Sequence, residues 1–121
     1  YGIQALTDIR SYILNCNSQK KLNEMYISFK RVSKRNNLFL QYLECYKSVD
    51  CFPELEEAIK VSREIVSNED VLLMVLLKYV NCMTEKTAFR LASKFEALLE
   101  IEKQRKEKLE LVKNRLFKLR N

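Results

Sequence analysis

The sequence has no histidine and no tryptophan, a single glycine at position 2, and a single proline, Pro53. Without histidine the chain lacks the commonest general base, the commonest metal ligand and the usual Ser and Cys triads. One glycine rules out a glycine-rich phosphate loop. So little turn chemistry excludes a many-stranded β protein. Helices need only short polar turns between them, so an all-α fold is expected. The longest apolar run, residues 71–77, is far below the roughly 20 residues of a membrane span.

What is present is a chain of 121 residues, 47% hydrophobic and 31% charged, which suits one globular domain and is too apolar for disorder. It begins at Tyr1 and ends while a heptad pattern is still running. Both features lead us to expect a domain excised from a longer protein. The charge of +6 is unevenly placed. Residues 1–35 carry seven Lys/Arg and two Asp/Glu, residues 36–102 carry seven and twelve, and residues 103–121 carry eight and two. The first two segments cancel, so a neutral helical body over 1–102 precedes a basic extension over 103–121. A charge gathered in one segment points to one addressable surface.

Apolar spacing predicts about six helices, arranged as an antiparallel bundle or a short stack of helix hairpins. The first covers about 3–16. The second begins after Ser18, a predicted N-cap, and ends near 34, where Lys30, Arg31, Lys34 and Arg35 suit the negative end of the helix dipole. Asn36 and Asn37 read as a break before a third helix over 38–47. Pro53 opens a fourth, with Glu54, Glu56 and Glu57 as a solvated, dipole-favoured first turn. Ser67 or Asn68 is expected to cap a fifth over 71–83. That segment is apolar nearly all round and is expected to be the central buried helix.

The sixth helix, capped by Thr84, is the long one. Ala88, Leu91, Phe95, Leu98, Leu109, Val112, Leu116 and Leu119 recur in one heptad frame, with Glu102 and Arg105 at the apolar positions between the two halves. Steps of three and four residues keep these side chains on one stripe. The first half is expected to complete the core. The second half is expected to dock a partner through Leu109, Val112, Leu116, Leu119 and the off-stripe Phe117. Its flanking positions are all basic: Lys106, Lys113 and Arg120 on one side, Lys108 and Arg115 on the other, with Lys118 nearby. A homodimer through this seam sets like charges against one another, which disfavours self-pairing. The expected partner is another protein with an apolar seam and acidic flanks. A helix over 84–120 would be roughly 55 Å long, against about 30 Å for a compact body of this size. Part of it is therefore expected to protrude, bend or be covered.

No carboxylate pair, metal-binding cluster or cofactor motif is present, so no enzyme, metal or cofactor is expected. Cys16, Cys45, Cys51 and Cys82 show no CxxC spacing, which argues against a zinc knuckle. They read as small, buried free thiols of an intracellular protein, nuclear or cytoplasmic. Two disulfides in a secreted cytokine-like bundle are the alternative. The function expected from these residues is a non-enzymatic helical protein–protein interaction module, a scaffold or adaptor. The alternative is a nucleic-acid-binding helical domain that sets the basic tail and the Lys30–Arg35 cluster against phosphates. A membrane surface is disfavoured, because the tail lacks tryptophan and a broad apolar face.

Overall fold

The computed structural model describes residues 3–120, with side chains through Lys118. It is all-helical over these residues and contains four helices: α1 (Ile3–Leu14), α2 (Gln19–Val49), α3 (Pro53–Asn81) and α4 (Glu85–Arg120). The predicted punctuation holds at three points. Ser18 is the N-cap of α2, its side chain accepting from the Lys21 amide at 3.4 Å. Pro53 opens α3. The Thr84 hydroxyl accepts from the Thr87 amide at 3.2 Å at the start of α4.

Six expected helices become four because two expected breaks do not occur. The predicted second and third helices form the single α2, and the fourth and fifth form the single α3. Asn costs a helix interior only about 0.7 kcal/mol relative to Ala, and no Gly or Pro stands nearby to finish the break. Asn37 and Asn68 instead donate their side-chain amides back to the carbonyls of Ser33 (3.3 Å) and Glu64 (2.7 Å), one turn earlier. Lys30, Arg31, Lys34 and Arg35 therefore lie mid-helix, and the dipole argument for them falls away.

α2 and α3 are antiparallel. Gln19 reaches the Val80 carbonyl, Asn36 reaches Glu69, Arg63 pairs with Glu44, and Lys47 pairs with Glu56. The three-residue connection 82–84 turns α4 back along α3, so α2 and α4 run parallel. Phe29 meets Phe95 edge-on at 6.2 Å, and Asn36 meets Arg105 further along. α1 lies antiparallel to α4. Arg10 pairs with Glu96 at 2.7 Å, while Ile3 stands beside Lys103, Lys106 and Glu110.

Merging the helices also answers the length argument. α2, α3 and α4 contain 31, 29 and 36 residues, or ~46, ~44 and ~54 Å at 1.5 Å rise. The body is itself elongated, and α4 runs along it. The accessible surface of 7891 Å² exceeds the roughly 6,800 Å² of a compact chain of this mass. The segment 71–83 is not buried all round. Leu72, Val75, Leu76, Tyr79 and Val80 face inward, but Met74 is 65% exposed, with Val71 and Leu77 also outward. As a whole, α3 is central, since it packs on both α2 and α4.

Leu76→Ala is expected to cost about 2–5 kcal/mol in urea unfolding, as for other fully buried leucines. Met74→Ala, about 3 Å of helix rise away but facing water, is expected to stay within about 0.5 kcal/mol.

Candidate functional site

Two apolar clusters fill the bundle. The larger joins Leu6 and Ile13 of α1, Leu22 and Phe29 of α2, the second half of α3, and Leu91, Phe95 and Leu98 of α4. The smaller joins Leu43, Phe52, Leu55, Ala58, Ile59 and Val112, with Leu40, Tyr46, Leu109 and Leu116 partly buried against it. On α2 and α4 a polar layer separates them; on α3, Val61 and Ile65 carry the larger cluster past it.

That layer contains the two charged heptad positions. Arg105 gives both oxygens of Glu102 a hydrogen bond from Nη2, at 2.8 and 3.1 Å, and gives Asn36 Oδ1 one from Nη1 at 3.3 Å. Asn36 Nδ2 donates in turn to Glu69 Oε2 at 2.9 Å. Glu69 is fully buried, and Glu102 and Arg105 are nearly so. Burial pushes the Glu102 carboxyl up from its ordinary value, opposed by the charge and hydrogen bonds of Arg105.

The heptad seam continues beyond this layer, and the chain itself covers part of it. Val112 is 8% exposed within the smaller cluster, and Leu109 and Leu116 are half-buried beside it. What remains open is a groove of about 310 Å³ between α2 and α4, lined by Phe39, Leu43, Leu109, Val112, Lys113, Leu116 and Phe117. Phe117 is 55% exposed and Phe39 is 36% exposed. Four of the sequence-predicted docking residues thus come together. Leu119 lies, like Arg120, outside the described side chains. Phe39 and Leu43 fall in what the sequence suggests is a separate helix over 38–47, so sequence reading missed the second wall.

The basic fringe divides. Lys113 lines the groove, while Lys106, two turns earlier on the same side of α4, stands with Glu107 and Glu110 beside Ile3. On α2, Arg31 and Arg35 precede Phe39 at four-residue steps on one exposed edge. Lys108 and Arg115 lie on the other flank of α4, toward α3. Arg115 pairs there with Glu54 at 3.6 Å and sits 5.7 Å over the Phe52 ring. Lys30 and Lys34 face outward from α2, and Lys118 from α4, all exposed. Glu54 and Glu56, expected as solvated acids, are paired with Arg115 and Lys47.

All four cysteines are free thiols; Cys16 is half-buried, and Cys45, Cys51 and Cys82 are exposed rather than buried as expected. The hydrogen bond to Glu56 at 3.3 Å pushes the Cys51 thiol up from its ordinary value, which lowers its thiolate fraction. Among the described residues no group of three or more Cys, Asp or Glu side chains is placed to hold a metal ion. No described helix is long and apolar enough to cross a membrane. The chain matches no protein-family model, no curated protein and no solved structure.

Arg105→Leu is expected to destabilise the fold by about 3–5 kcal/mol at pH 7, because Glu102 then keeps a buried charge without its counter-ion. The folded-state pKa of Glu102 is already raised, and losing Arg105 raises it further. Between the ordinary carboxylate value and that raised value, the folded state binds more protons than the unfolded one. Stability is therefore lost as pH rises through the folded value and regained on acidification. Thermal melts of the variant at pH 7 and pH 5 should show a smaller deficit at pH 5.

Proposed function

We propose that this chain is a non-enzymatic helical protein–protein interaction module that docks another protein through the second half of α4. The observation that carries the reading is the open apolar groove between α2 and α4, with the rings of Phe39 and Phe117 left to water. Exposed rings beside a half-buried leucine seam cost free energy in the isolated domain, and concave apolar surfaces of this kind are where partners seat. Lys113 in the groove and Lys106 two turns before it favour a partner with acidic flanks around its apolar seam. The four free thiols suit a reducing compartment, cytoplasm or nucleus.

Nucleic-acid binding through the same bases is the second reading. It is favoured by the excess of Lys and Arg over 103–121, but phosphates need no apolar groove. Arg115, moreover, is engaged with Glu54.

The two readings predict opposite orders of effect. Leu109 and Leu116 serve both core and groove, so exposed residues make the cleaner test. Phe39→Ser with Phe117→Ser is expected to leave the circular dichroism spectrum unchanged. It should weaken capture of the proteins bound by the parent in a quantitative pull-down, by about 0.5–1.5 kcal/mol per ring, since both rings are already partly buried. Lys106→Gln with Lys113→Gln should weaken capture modestly, and chiefly at low salt. For nucleic acid the charge-neutral variant is the dead one. Anisotropy of a labelled duplex would then fall steeply with salt, and that result would overturn the interaction reading.

A further inference from the structure

We infer that the occupant of this groove is an amphipathic helix of two to three turns with acidic flanks, seated in line with α1. The inference rests on the interaction reading above and names the partner's chemistry.

The first support is where α1 stops. Its buried Leu6 and Ile13 share one cluster with Phe29 of α2 and Phe95 of α4, so α1 covers the α2–α4 seam in that half of the bundle. Its first residue, Ile3, stands beside α4 at Lys106, Glu110 and Leu111. The open groove begins at Leu109 and continues to Phe117. The parallel pair α2 and α4 therefore makes one long seam, covered by a helix over its first part and bare over its second. The bare part calls for the same kind of cover, an amphipathic helix laid into a helical groove. Residues 109–117 of α4 extend about 12 Å. That length matches an occupant with apolar side chains at i, i+3 or i+4, and i+7.

The second support is charge. Lys113 lines the groove on α4, Lys106 stands two turns before it beside Ile3, and on α2 the exposed Arg35 comes one turn before Phe39. No acid lines the groove itself; Glu107 and Glu110 stand with Lys103 and Lys106 beside Ile3, and Glu54 of α3 is already paired with Arg115. An acidic helix meets positive charge at Lys113 within the groove and, just outside it, at Lys106 on α4 and Arg35 on α2. A second copy of the chain, set groove to groove, brings lysine against lysine or arginine and is disfavoured. So short a contact falls at the small end of specific interfaces, which implies weak, salt-sensitive binding.

The test is panning of a displayed library of random 16-residue peptides against the full chain. Enriched peptides are expected to be net negative, with apolar residues at i, i+3 or i+4, and i+7. Their binding should fall at least tenfold on Phe39→Ser with Phe117→Ser, and again on the charge-reversed Lys106→Glu with Lys113→Glu. The second pair changes exposed residues only, so folding of the first pair does not decide the result. In ¹⁵N spectra the peptides should shift amides around Phe39 and Lys113. Enrichment of basic or non-helical peptides, equal binding to the charge-reversed variant, or no enrichment over bare beads overturns the inference. Peptides that bind elsewhere and ignore both variants would sink the acidic helix while leaving an interaction module standing. Steep, salt-dependent binding of a DNA duplex with no peptide enriched would sink both.

Discussion

One buried ion pair fixes how the three long helices meet. Arg105 holds Glu102 on its own helix and Asn36 on α2, and Asn36 holds Glu69 on α3. A slip of α2 by one turn would carry Asn36 away from both partners and set an apolar side chain against a guanidinium. Leucine stripes alone tolerate such slips, because one apolar turn resembles the next. A buried polar group without its partner costs about 1–3 kcal/mol, and more when charged. The layer thus contributes more to choosing one register than to stability, the best-attested use of such groups in paired helices.

The fold class was legible because scarcity of Gly and Pro is a property of the whole chain and needs no local judgement. The helix starts at Ser18, Pro53 and Thr84 were legible for a related reason: each supplies chemistry that a first turn lacks. The false breaks came from the same residue types in the wrong setting. Asn and Ser cap a helix only where the chain turns, and no local signal at 36–37 or 67–68 reveals that it does not. Asn36 proved to be the layer's central link, a role that depends on residues 33 and 69 positions away.

The seam shows the limit of periodicity from another side. The heptad frame correctly marked Leu109, Val112 and Leu116 as one stripe, and Glu102 and Arg105 as its interruption. A stripe records that side chains meet something apolar, not which chain supplies it. Here α2 and α3 supply part of it, through Leu43, Leu55 and Ile59. The basic flanks looked equivalent on a heptad wheel, yet the fold turns Arg115 to Glu54 and leaves Lys113 at the groove.

The two apolar clusters are unequal, and α1 supports the larger alone. Among the described residues the smaller has six buried apolar side chains and the larger has fourteen. Backbone amides around Leu43 and Val112 therefore open through smaller, cheaper fluctuations than those around Phe29 and Phe95. Any molecule that binds only the closed form of that end raises its opening free energy by mass action. Occupancy of the groove would then be felt as slowed proton exchange along 50–59, in a loop and helix start that do not line the groove.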